Sequence, residues 1–187
     1  MTCQPGHVRT VVFDLEATCW DTARPRDRME IIEIGAVRLD PDTLTPVDEF
    51  ATFVRPVVEP QLSQFCTSLT TITQEDVDTA DVFGIVFPRF VEWLGDAPLR
   101  LCSWGAFDLE QLTLDCQRHG YPLPECAQHH VNLKSEFAAW RGVKRCGMAS
   151  ALEQAGLPLV GTHHRGIDDA RNLAGIARLV LPSLDLA

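Results

Sequence analysis

Lysine is almost missing from this chain. Of its 16 basic residues only Lys134 and Lys144 are lysines, and the rest are arginine. Against 26 acidic residues the formal net charge is −10. That balance excludes a protein that coats nucleic acid non-specifically, and leaves room for an enzyme that grips a few phosphates locally. No apolar run approaches the length of a membrane span, and the opening stretch MTCQPGHVRT lacks the apolar segment of an export signal. A soluble cytoplasmic protein with no membrane partner is the expectation. None of the seven cysteines forms a CxxC pair, so reduced thiols are expected. Cys116 with His119, and Cys126 with His129 and His130, read as buried thiols and surface histidines rather than a structural zinc site. Internal repeats, low-complexity tracts and linkers are all missing. A single domain spanning residues 1–187, with its core from about 8 to 182, is expected at this length.

What is present is an alternation of apolar runs and helical periodicities. His7 to Asp14 reads as a first strand, Glu30 to Leu39 as a second, and Phe50 to Val54 as a third after the turn-forming DPDTLTP. The three suit an antiparallel meander. The polar stretch from Ser63 to Ala80 suggests short helices and turns, with a helix start at Thr73. Val82 to Leu94 reads as a helix despite Pro88, Leu99 to Ser103 as a fourth strand, and Phe107 to His119 as a helix. His130 to Leu133 suggests a fifth strand, and Met148 to Ala155 a short helix closed by Gly156. Asp168 to Leu181 is a helix with Leu173, Ile176, Ala177 and Val180 on one face. Strands alternating with helices after a meander give a mixed α/β layer fold, whose ligands sit at the carboxyl ends of strands.

Asp14 and Glu16 lie at such an end, in VVFDLEATCW. Strand side chains alternate faces, so both carboxylates point the same way and repel unless a cation sits between them. Two more acids open helices: Asp108 in LCSWGAFDLEQL, and Asp169 in HHRGIDDARNLAGI. Each alone is better explained by capping of free N–H groups than by catalysis. Two basic clusters, Arg24, Arg26 and Arg28, then Arg141, Lys144 and Arg145, suit either solvated loops or phosphate.

Taken in order, Asp-x-Glu on the first strand, an Asp opening a mid-chain helix, and a His five residues before a late Asp resemble the DEDDh 3′-to-5′ exonucleases, also called DnaQ-like. FDLEATCW followed by EIIEIGAV, the stretch QLSQFCTSLTTITQEDVDTAD and HHRGIDDARNLAGIARLVL narrow the resemblance to the Eri/KapD-type exoribonucleases, from about Val11 to Leu181. The resemblance implies an RNase H-like α/β fold, a mixed five-stranded sheet flanked by helices. It also implies 3′-to-5′ cleavage of RNA to nucleoside 5′-monophosphates. Thr71 stands where relatives often carry glycine, and the Trp–Asp connection of SWGAFD is longer than in the eukaryotic nuclease of that subgroup.

The site residues follow from the same resemblance. Two divalent ions, Mg²⁺ or Mn²⁺, would be held by Asp14, Glu16, Asp108 and Asp169, an all-oxygen set suited to hard cations. Asp14 would bridge the ions, Glu16 and Asp169 would serve the nucleophile's side, and Asp108 the other. Both His163–Asp168 and His164–Asp169 satisfy the five-residue spacing. The family pattern has a small residue after the Asp and a glycine two residues after the His. Ala170 and Gly166 therefore select Asp169 and, as general base, His164. The backbone of Leu15, Glu16, Ala17 and Thr18 would lie against the terminal nucleotide, and Trp104 or Phe107 could stack on a base or belong to the core. RNA is favoured over DNA as the partner. A DNA exonuclease and a non-catalytic binding module stay open as alternatives.

Overall fold

The computed structural model describes residues 8–184, and His7 at the expected start of the first strand lies outside them. The strands are β1 (Arg9–Ala17), β2 (Ile31–Leu39), β3 (Pro46–Phe53), β4 (Leu99–Ser103) and β5 (His130–Asn132). They form one mixed sheet in the order β3-β2-β1-β4-β5. The first three strands are the expected antiparallel meander, and β4 and β5 join in parallel on the other side of β1. The helices are α1 (Gln64–Thr70), α2 (Gln74–Asp78), α3 (Phe83–Leu94), α4 (Phe107–His119), α5 (Leu133–Arg141), α6 (Met148–Ala155) and α7 (Gly166–Leu184).

Strand alternation divides the interior in two. Val11, Phe13 and Leu15 face α3 and α4, while Val12 faces α5, α6 and α7. On α7 the stripe Leu173, Ile176, Ala177 and Val180 is fully buried. Each large aliphatic side chain so buried contributes about 1.5–3 kcal/mol, which pins this helix across β1 and β2. Its first residue makes the tightest contact. A Cβ at Gly35 of β2 would lie 2.1 Å from the Gly166 carbonyl carbon, and one at Gly166 would lie 3.1 Å from the Asp14 carbonyl oxygen. Glycine at both positions lets the start of α7 touch the strand that carries Asp14.

Several elements differ from the sequence reading. The first strand runs on through Glu16 to Ala17, because Leu15 and Ala17 continue the buried alternation opposite β2. The third begins earlier, at Pro46, where an exposed polar edge pairs with β2. The fifth stops at Asn132, whose side-chain oxygen accepts the Ser135 N–H (3.1 Å). Leu133 therefore opens α5, a helix the sequence reading did not contain, instead of closing the strand. The last helix extends to Gly166–Leu184. Thr71 caps α1 with φ of 62°, a left-handed conformation that glycine adopts without strain.

Pro88 is accommodated inside α3 by a tertiary contact. Proline lacks the N–H that would bond the carbonyl four residues back, at Gly84. The Tyr121 hydroxyl donates to that carbonyl instead (3.0 Å), while its ring packs on Phe83 and Phe87. Tyr121→Phe keeps the packing and orphans the carbonyl. We expect it to cost about 1 kcal/mol, or roughly 2–4 °C in Tm, measured by thermal unfolding. An unchanged Tm would show that water replaces the hydroxyl at no cost.

Candidate metal centre

Asp14 and Glu16 follow Val12 on the α7 side of β1, at its carboxyl end. Carboxylate oxygens of Asp14, Glu16 and Asp169 all lie within 4.8 Å of one another. The register with β2 slips between Glu16 and Ala17, an irregularity of the kind that re-aims side chains beside sites. Asp108 joins from the far side. It is buried at the start of α4, where its carboxylate accepts its own backbone N–H and also the Leu15 N–H (3.0 Å), tying α4 to the strand between the two acids. Ser103 at the end of β4 also bonds this carboxylate, and its hydroxyl lies 3.0 Å from His130 Nε2.

The adjacent aspartates at the head of α7 part company. Asp168 faces away, accepting the Thr162 N–H (2.8 Å) and pairing with Arg171 (3.0 Å). Asp169 faces the cluster. Its carboxylate lies 3.0 Å from His163 Nδ1 and accepts the His164 N–H at 3.0 Å. His164, in the left-handed conformation with φ of 63°, stacks its ring on His163 with centroids 4.0 Å apart.

A further buried acid beside these four, Glu33, was not singled out from the sequence. Glu33 pairs directly with Glu16 across the β1–β2 ladder. It is neutralised by Arg165 (3.1 Å) and accepts the Gly166 N–H (2.9 Å). Glu33 thus clamps the segment that carries both histidines. Its only sequence signal is a carboxylate inside the otherwise apolar IIEIGAV.

The electrostatics are those of carboxylates confined without a cation. Burial, then the neighbouring Asp169, Glu33 and Asp108, pushes the Glu16 carboxyl up to about 9. Burial and the Asp108 and Glu16 charges also hold Asp14 well above the usual range. Asp108 is raised to about 6, burial outweighing its bonds from Leu15 and Ser103. Asp169 is raised by burial despite its histidine contacts. A close set of oxygen donors whose charges repel fits a hard divalent cation, which would favour the ionised forms. Burial, then the neighbouring His163, holds the His164 imidazole below its ordinary value, which disfavours its charged form.

The carboxylates floor a cleft of about 430 Å³, which Ala17, Trp104, Phe107, Lys134 and both histidines also line. Trp104 leans on Phe137 from this cleft (centroids 6.1 Å) and so belongs to both wall and core. Phe107 is exposed at the rim, with the Arg26 guanidinium 4.6 Å over its ring. The Leu15 side chain is buried in the opposite core. Thr18 is not brought to the cleft. It is buried, and its hydroxyl accepts the Glu30 N–H (3.0 Å). Arg24 and Arg28 are engaged with Glu59, and Arg26 with Glu110. His119 stacks on Phe83, a structural role. A larger hollow of about 860 Å³ opens at the opposite strand ends around Val8, Leu99 and His129, away from the carboxylates.

Between about 4.5 and 9 the folded chain keeps a proton on Glu16 that the unfolded chain has lost. Stability without metal therefore falls as pH rises through that window, and Asp14, Asp108 and Asp169 act in the same direction. Thermal unfolding in EDTA is expected to show a Tm that declines from about pH 5 to pH 9. A Tm that rises across this range would contradict the confinement of these acids.

Comparison with known proteins agrees with this geometry. A family model for exonucleases of the RNase T type matches residues 11–177. The human 3′-5′ exoribonuclease 1 is 35% identical over 175 residues, covering 89% of this chain and 50% of that protein. The zebrafish (Danio rerio) ERI1 exoribonuclease 2 is 33% identical over 200 residues, covering 96% of this chain and 36% of that protein. The chain thus spans about half or less of the length of these relatives. Among solved structures, the nuclease domain of 3′hExo, a DEDDh family member bound to rAMP, superposes with a TM-score of 0.88 at 32% identity. That match covers 97% of this chain and 95% of the other.

Proposed function

This chain belongs to the exonuclease family, and on that premise we propose that it is a metal-dependent 3′-to-5′ exoribonuclease. It shares the RNase H-like fold of the DEDDh enzymes. It would release nucleoside 5′-monophosphates from the 3′ end of single-stranded or short-overhang RNA. The observation that carries the reading is the meeting of the Asp14, Glu16 and Asp169 oxygens within 4.8 Å at the floor of an open cleft.

Asp14, Glu16, Asp108 and Asp169 would hold two ions, Mg²⁺ or Mn²⁺. Such a pair stabilises charge on the attacking and leaving oxygens of a phosphodiester. The remaining work belongs to the chain. His164 takes the proton from the attacking water. Its lowered pKa keeps the ring able to accept a proton at neutral pH. Asp169, through the His164 N–H, fixes the backbone from which the ring swings. The main chain at Leu15 to Ala17 receives the terminal ribose, and Ala17 leaves room for close approach. Trp104 and Phe107 flank the terminal base, and Lys134 offers the cleft a positive charge beside the phosphate. RNA is favoured because the relatives are named as exoribonucleases and because the 3′hExo domain was crystallised with a ribonucleotide. A 2′-hydroxyl contact in the cleft would make that distinction.

The test is cleavage of 5′-labelled single-stranded RNA and DNA of matched sequence with Mg²⁺ or Mn²⁺. A ladder shortening from the 3′ end is expected, faster on RNA and abolished by EDTA or Asp14→Ala. His164→Ala should slow it by on the order of 10²–10⁴-fold. Faster shortening of DNA would reassign the substrate. Folded protein that cuts neither with either ion would identify a binding module and overturn the proposal.

A further inference from the structure

His163 is not needed by the reaction just described, yet its ring rather than that of His164 contacts the Asp169 carboxylate. Its Nδ1 lies 3.0 and 3.1 Å from the two oxygens. One nitrogen from each histidine and one Asp169 oxygen all fall within 4.8 Å of one another. This donor set differs in kind from the all-carboxylate set beside it. Two imidazoles and a carboxylate suit a borderline transition metal, whereas Mg²⁺ prefers oxygen alone.

The distances favour capture. Bonds of about 2.0–2.2 Å to a tetrahedral Zn²⁺ separate two donor atoms by roughly 3.4 Å. The His163–Asp169 contact therefore has to open by only a few tenths of an ångström for a metal to replace the proton it shares. The His164 ring, stacked at 4.0 Å on its neighbour, supplies the third donor by a side-chain rotation. The His163 side chain is 38% exposed while Asp169 is 6% exposed, so the set is reachable from the cleft and anchored at its base.

We propose that His163, His164 and Asp169 form a Zn²⁺ site that overlaps the carboxylate centre at Asp169, and that its occupation silences the nuclease. Zn²⁺ there withdraws His164 and Asp169 from the roles given them above. The inhibitory consequence rests on the exoribonuclease reading, while metal capture does not.

The test accordingly begins without RNA. Zn²⁺ binding is measured by calorimetry on the full chain in millimolar Mg²⁺, for the wild type, His163→Ala, His163→Gln and Glu16→Gln. Gln at position 163 can still donate to Asp169 but binds zinc poorly, which separates ligation from loop positioning. Both His163 variants are expected to weaken Zn²⁺ by on the order of ten- to hundredfold, and Glu16→Gln by much less. Bound Co²⁺ should show tetrahedral bands without thiolate charge transfer. Cleavage by the wild type should then fall with zinc over the same concentration range. Inhibition of the His163 variants, each scaled to its own zinc-free rate, should need at least about ten times more. Equal Zn²⁺ affinity in wild type and His163→Ala would overturn the site, as would thiolate bands or a loss confined to Glu16→Gln. Zinc binding as expected with no nuclease activity would leave the site standing and sink only its inhibitory role.

Discussion

Mutual repulsion among buried carboxylates is the constraint around which this molecule is organised. Asp14, Glu16, Asp108 and Asp169 come from β1, α4 and α7, and each is held above its ordinary pKa first by burial. Without a cation such a cluster opposes folding. The surrounding structure must therefore impose it, and the sheet and last helix do so through contacts that leave the acids little freedom. Gly35 against Gly166 sets the distance between α7 and the strand. Asp108 is locked to the Leu15 N–H. The apolar stripe of α7, buried to its far end, supplies the free energy that offsets the crowding of charge at its near end.

The same constraint explains why Glu33 and Glu16, paired across two strands, have different fates. Glu33 is compensated within the protein by Arg165 and the Gly166 N–H, and so becomes a structural clamp on the histidine segment. Among the described residues Glu16 has no such cation, and it stays directed at the cleft, with its carboxyl pushed up to about 9. Compensation by protein on one strand and, under the proposed function, by metal on the next is a division of labour that alternation alone would not produce.

Local features of the sequence carried most of the frame. The meander, the two parallel strands and the buried face of α7 follow from period-two and helical patterns that neighbouring residues define. The shared direction of Asp14 and Glu16 follows from strand alternation in the same way. What the sequence concealed is non-local or degenerate. Glu33 acquires its meaning from a residue 132 positions away. The short α5 begins at once after β5, and only the Asn132 cap marks the change. Spacing cannot separate His163 from His164. The fold assigns them different contacts, one by its ring and one by its N–H. Thr18 sits beside the motif but spends its hydroxyl on the Glu30 backbone. Thr71 shows the opposite case, where a residue noted against the family pattern lies at a left-handed position.

If the acids are arranged for divalent ions, metal binding must be visible without any substrate. The most direct measurement is a Mn²⁺ titration followed by electron paramagnetic resonance, on wild type and Asp14→Asn. We predict that the wild type removes free Mn²⁺ from solution and that Mg²⁺ competes for the same places. Asp14→Asn, which keeps the shape and removes one charge, should bind at least about tenfold more weakly. Folded wild-type protein that leaves the free Mn²⁺ signal untouched would contradict the account at its centre.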